Sequence, residues 1–283
     1  MPFNKYSIAA IVLLAALTMP LLSAMAHDES KYPNWGEGQW RRPAGLDTRW
    51  DQTKRSGLAQ EAPLKAEYQK LLEWSIKDQS EGGQGLDTRF TCMTNGMPRM
   101  MAVIQPIQFV ILPNVTYVHF EAFMPRRIYT DGRSFPDNEE PSFAGYSIGQ
   151  WTETDTDGDG RFDTLEVETR NFKGPRTVEF SGIPLHENNQ TVVKEKIYLD
   201  KDNPDIMHNI ITITDDAFTR PWTVDKRYRR DRKVVWFEDN CNENNHHIVL
   251  GKENYFVTYD GLLMPARKNQ AAPDLRYFKD AAK

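Results

Sequence analysis

From Cys92 onward the chain alternates short runs of β-branched and aromatic residues with Gly, Pro, Asn or Asp, the rhythm of strands separated by tight connections. The runs are Met101 to Leu112, Val115 to Met124, Ser147 to Trp151, Leu165 to Phe172, Thr177 to Ile183, Thr191 to Leu199, Ile206 to Thr214, Trp222 to Arg230, Val234 to Glu238 and Tyr255 to Tyr259. Pro106 marks the first as an edge or bulged strand, because it cannot donate to a ladder. Ahead of them one segment changes period. Leu64, Tyr68, Leu71, Leu72 and Ile76 repeat about every 3.6 residues between Leu58 and Gln79, Pro63 sits near the start and Gly82-Gly83 closes it, so a helix with one packed face is expected there. Tyr32 to Gly57 is rich in Trp, Arg, Gly and Pro without a period and reads as an irregular arm.

Many short strands with one helix predict a mainly β fold: an antiparallel barrel or strongly curved sandwich of about ten strands, with the N-terminal helix plugging one end. No linker, low-complexity tract or repeat interrupts the chain. The division that follows is a signal peptide at 1–26, an arm and helix at 27–89, a barrel-like domain at 90–263 and a C-terminal tail at 264–283.

Composition narrows the function classes. The 283 residues carry 35 Lys and Arg against 40 Asp and Glu, a formal charge of −5, which argues against a non-specific nucleic-acid binder. With 39% hydrophobic and 11% aromatic residues the chain can bury a core and does not read as disordered. Lys5, the apolar run from Ile8 to Leu22 and the small residues Ala24 and Ala26 form a cleavable export signal, so a periplasmic or secreted protein without a stable membrane anchor is expected. A retained anchor is the alternative. An oxidising compartment would let Cys92 and Cys241 join, closing a long interval worth about 5 kcal/mol on the loop-entropy model. Two buried free thiols are the other possibility.

The most specific motif is Asp155-Thr-Asp157-Gly-Asp159-Gly160-Arg161-Phe162-Asp163-Thr-Leu-Glu166, which follows the calcium-loop pattern D-x-D-x-D-G-x5-E. Asp155, Asp157 and Asp159 would supply single carboxylate oxygens, Gly160 the sharp turn, Arg161 its carbonyl, Asp163 a water-mediated contact and Glu166 two oxygens, while Phe162 points to the core. Without a cation these carboxylates repel one another; a solvated Asp-Gly hairpin turn is the bland alternative. The flanks read as strands, so the expected calcium site is structural, with affinity of about 10⁻⁴ to 10⁻³ M.

Other polar groups carry weaker signals. His119 and Glu121 alternate with Val118, Phe120 and Ala122 and share a face with Tyr117, either as an acid/base pair in a lumen or toward solvent. His186 sits in a loop as an accessible base, and His208 shares a face with Ile206 and Ile210, as a hydrogen-bonded core histidine would. Arg126, Arg127 and Arg133 flank a turn where they would hold an anion or pair with nearby acids. The basic stripe from Lys226 to Lys233 is interrupted by Asp231 and reads as a solvated hairpin. No familiar hydrolase, zinc-protease, Walker or dinucleotide fingerprint occurs.

Four blocks, Cys92-Met-Thr-Asn-Gly96-Met97-Pro98-Arg99, Arg126 to Arg133, Gly145-Tyr-Ser-Ile-Gly149-Gln-Trp151 and Cys241-Asn-Glu243-Asn244-Asn245, resemble recurring blocks of a large group of exported bacterial β-rich proteins usually labelled hypothetical. The resemblance spans about residues 90 to 245 and implies one continuous domain, without a reaction or cofactor. Three readings result: a calcium-stabilised barrel binding a small, largely apolar molecule in its interior or mouth; an enzyme of hydrolase, lyase or isomerase type using His119, Glu121 or His186 with Arg126 or Arg127; or a structural or assembly protein. A solid interior would defeat the first two and favour the third.

Overall fold

The computed structural model describes residues 28–46, 49–102, 104–154, 158–237, 240–243, 246–250 and 253–273. The signal expected at 1–26 lies outside them. In chain order the elements are β1 (Gln39–Arg41), α1 (Ala66–Ser80), β2 (Ile107–Leu112), β3 (Val115–Phe120), β4 (Arg126–Tyr129), β5 (Tyr146–Thr152), β6 (Thr164–Arg170), β7 (Val192–Leu199), β8 (Ile206–Thr214), β9 (Trp222–Asp231), β10 (His247–Leu250), β11 (Glu253–Val257) and β12 (Leu263–Pro265). Strands β1 to β9 close into a barrel in sequence order, with β10, β11 and β12 as a separate small sheet. The barrel with one helix expected from the pattern is therefore the fold.

Its ladder is antiparallel except for β4 and β5, which pair in parallel through Ile128↔Ser147 and Tyr129↔Ile148. A parallel pair needs a long return, and the connection from Thr130 to Gly145 provides it. Two expected strands differ. Thr177 to Ile183 forms a buried turn held by an isolated bridge between Thr177 and Pro184. Val234 to Phe237 is not a strand, although Arg41 donates to the Val235 carbonyl; Glu238 lies outside the described residues.

The arm does more than expected, because Trp40 belongs to β1 and closes the barrel between β2 and β9. Trp35, Trp40 and Trp50 are all 0% exposed. Each removes about 200 Å² from water, worth up to roughly 5 kcal/mol at 25 cal/mol/Å². Where β1 ends, the Gln52 carboxamide substitutes for a neighbouring strand: it donates to the Arg227 carbonyl at 3.1 Å and accepts from its N–H at 2.7 Å. Lys226 faces inward from β9 and donates to the carbonyl of Arg49 at 2.6 Å, so the arm is latched from inside.

Helix α1 starts later than expected, after a 3₁₀ turn at Gly57–Gln60, and buries Leu72 and Ser75. Leu71 is exposed, contrary to its place in the apolar period, because the helix rests on the β6–β7 connection through Ser75, whose hydroxyl donates to the Ser181 carbonyl at 3.3 Å. Leu64 bridges to Phe218 in the β8–β9 connection, at the same barrel end. The helix thus covers that end. The disulfide between Cys92 and Cys241 is formed, spanning 149 residues of sequence. The early part of the tail is tied down as well, Lys268 N–H donating to the Glu81 carbonyl at 3.1 Å.

Candidate binding site

Alternation along the strands decides which side chains enter the barrel. Ile107, Val118, Ile128, Leu165, Val193, Ile197, Met207, Ile211 and Ile213 face inward and have no surface that water could touch. Such packing leaves no room for a ligand among them, so the interior cavity expected from barrel size is absent along this layer, filled by the branched side chains themselves.

Five of the polar residues inside are joined in one network. Arg126 enters from β4 and donates through Nη1 to Glu195 Oε1 on β7 at 3.0 Å and through Nη2 to Thr169 Oγ1 on β6 at 2.9 Å, while Nη2 also meets Glu195 Oε2. Its Nε donates to Ser147 Oγ on β5 at 3.3 Å, and Asn209 on β8 donates to Glu195 Oε1 at 2.9 Å. Five successive strands are braced by one ion pair and its neighbours. Tyr228 donates to the Met101 carbonyl at 2.7 Å; burial, reinforced by Glu195, pushes its hydroxyl well above the usual range, so it stays protonated. Arg126 is therefore sealed and does not serve as an accessible anion holder. Arg127, next along the same strand, faces outward over the Tyr117 ring at 5.4 Å. Hydrogen bonding to Tyr129 holds its guanidinium above its ordinary value.

The acid/base candidates do not converge. His119 lies outside the barrel beside Tyr117, with ring centroids 5.9 Å apart. Strand β3 ends at Phe120, and Glu121 turns away to accept the Phe237 N–H at 2.6 Å. His186, in the β6–β7 connection, accepts the Asn188 N–H at 3.0 Å through Nδ1 and packs on Tyr68 with ring centroids 5.6 Å apart. His208 is hydrogen-bonded as expected but on the outer face, its Nδ1 3.0 Å from Asp225 and its Nε2 3.1 Å from Asp200. Among the described residues no hydrogen bond joins His119, Glu121 and His186 to one another.

The acidic loop connects paired strands, Thr152 of β5 facing Thr164 of β6. Asp155 and Asp157 lie outside the described residues. Gly160 has φ +73°, the left-handed conformation needed at the loop's turn, and Asp159 accepts the Arg161 N–H at 2.8 Å. Asp163 accepts from both the N–H and the hydroxyl of Thr154, each at 2.9 Å. Glu166 lies three residues on, exposed in β6, and Phe162 packs on Tyr32 at 5.2 Å between centroids. Among the described residues no group of three His, Cys, Asp or Glu could hold a metal ion.

On the outer wall, a groove of about 760 Å³ crosses β5 to β8. Ile148 and Ile210 supply apolar surface, Gln150, Glu166, Glu168, Lys194 and Lys196 supply charge and hydrogen bonding, and Tyr32, Phe162 and Arg133 border it. Glu168 pairs with Arg170 and, at 3.5 Å, with Lys194. Arg133 grips Asp131, whose carboxyl is held below the usual range by that hydrogen bond.

No family model, curated protein or solved structure matches the chain. The geometry alone carries the functional argument. The sequence reading named Arg126 but missed Ser147, Thr169, Glu195 and Asn209. The signal was present, since Glu195 is in phase with Val193 and Ile197 on β7. The groove residues had no such signal, because they come from four strands, two connections and the N-terminal arm.

Proposed function

We propose that this is an exported, calcium-stabilised barrel protein that works by binding a small amphipathic molecule in the groove across β5 to β8. The groove's volume of about 760 Å³ carries the reading, since small-molecule sites fall at about 300 to 1,000 Å³. Its lining changes the expected ligand. A largely apolar molecule suits a closed lumen, but here Ile148 and Ile210 lie among Lys194, Lys196 and Glu166, which suits an apolar body with a charged end. The filled interior removes the lumen as a binding place and favours a structural role, so the binding reading rests on the outer-wall groove alone. Export is supported by the disulfide and by the signal-like N-terminus. Calcium is supported by the loop pattern and the left-handed Gly160, and the strand flanks make such a site structural rather than a switch.

Titration with 1-anilinonaphthalene-8-sulfonate, an apolar fluorophore with one anionic group, tests the groove. Saturable binding of one dye per chain, weakened at least tenfold in Ile210→Asp with unchanged near-ultraviolet circular dichroism, is expected. Non-saturating fluorescence, or full binding by Ile210→Asp, overturns the reading.

A further inference from the structure

A second groove, of about 510 Å³, lies at the end of the barrel covered by α1, between the connection preceding β5 and the residues that precede β7. Its chemistry differs from that of the outer-wall groove. No Asp or Glu lines it, although acids outnumber bases in the chain, 40 to 35. Arg170 and Lys173 contribute two cations, Phe135 and Tyr146 contribute rings, and Asn171 and Asn189 contribute carboxamides.

These groups are held in place. Tyr146 stacks on Tyr129 with centroids 4.9 Å apart and 24° between planes, and the Arg170 guanidinium lies over Phe135 at 5.1 Å. Asn171 and Asn189 have φ of 63° and 58°, left-handed conformations, and both border this groove. Their amide groups are oriented by the Glu139 carbonyl at 2.9 Å and the Glu187 carbonyl at 2.8 Å. Lys173 is held loosely, Glu140 lying 3.7 Å away with its side chain 89% exposed, whereas Arg170 Nε is in close contact with Glu168 Oε1 outside the groove lining and presents its remaining guanidinium edge.

The geometry points to a binding site for a uronic-acid unit of an acidic saccharide, separate from the outer-wall groove and not dependent on it. A sugar ring offers an apolar C–H face to aromatic side chains and hydroxyls to carboxamides. Its carboxylate matches the fork of an arginine. A groove of this size exceeds what a simple anion fills, so phosphate alone does not account for the rings. A neutral sugar does not account for the two cations without a lining acid.

Calorimetry on the full chain with trigalacturonate, with its neutral counterpart galactotriose, and with inorganic phosphate tests this. Trigalacturonate is expected to bind one per chain with a dissociation constant below about 1 mM. Galactotriose should bind at least tenfold more weakly, and phosphate should not displace the bound saccharide at equal concentration. Arg170→Gln and Phe135→Ala should each weaken trigalacturonate at least tenfold with unchanged circular dichroism; Lys173→Gln replaces either variant that fails to fold. Ile210→Asp, in the other groove, should bind as the unaltered protein does. Equal binding of the neutral sugar, displacement by phosphate, no saturable heat, or loss only in Ile210→Asp overturns the assignment.

Discussion

Arg126 and Glu195 meet across the barrel interior from β4 and β7, three strands apart, with Nη1 donating to Oε1 at 3.0 Å. Neither side chain reaches solvent. Removing one partner of such a pair strands the other charge, whereas removing both leaves only the neutral Ser147, Thr169 and Asn209 of the network. Arg126→Met should therefore lose about 3 to 5 kcal/mol in urea unfolding, and Arg126→Met with Glu195→Leu should recover most of that or exceed the starting stability. A double variant no better than the single one would show that the network holds the fold by more than charge balance.

Gly149 faces inward on β5, where an added Cβ would lie 2.7 Å from Ile128 Cγ2 and 3.1 Å from Leu165 Cδ1. The backbone there approaches its neighbours too closely for any side chain. Gly149→Val should cost about 1 to 3 kcal/mol by overpacking, measured as a lower thermal midpoint.

The disulfide closes an interval of 149 residues, so Cys92→Ser with Cys241→Ser should lose up to about 5 kcal/mol, read as a shift in the urea midpoint. The unaltered protein under reducing conditions should show the same shift.

Calcium should raise stability through the loop at 155–166. With affinity of about 10⁻⁴ to 10⁻³ M, 10 mM calcium contributes about 1.4 to 2.7 kcal/mol relative to chelator. Thermal melts with calcium and with EGTA should separate by several degrees, and Asp159→Asn should narrow the gap. Coincident melts would remove the metal.

Acid should loosen the barrel end at the β7–β8 connection, opposite α1. Hydrogen bonds from Arg232 hold the Asp205 carboxyl below its ordinary value, and a hydrogen bond from His208 does the same for Asp200. A carboxylate lowered on folding stabilises the fold above its unfolded pKa of about 3.9, and that contribution is lost as the pH falls through the lower folded value. Thermal midpoints should fall steadily below about pH 4, with a shallower fall in Asp205→Asn.

Much of the fold was written in local pattern. The strands from β5 to β9 and the helix were visible because side-chain period reports burial directly, at two residues in a strand and 3.6 in a helix. The strand-flanked acidic loop was legible as residue type at short spacing, and the cysteine pairing because Cys92 and Cys241 are the two cysteines of the chain. Other features needed the chain in three dimensions. That Trp40 completes the barrel, that β4 pairs in parallel with β5, and that adjacent Arg126 and Arg127 take opposite fates, one braced inside and one on the wall, depends on which strands come together. Both grooves likewise exist only where distant segments meet. Sequence sets each residue's face on its own strand, but closure of the sheet selects its neighbours, and a binding surface is a property of neighbours.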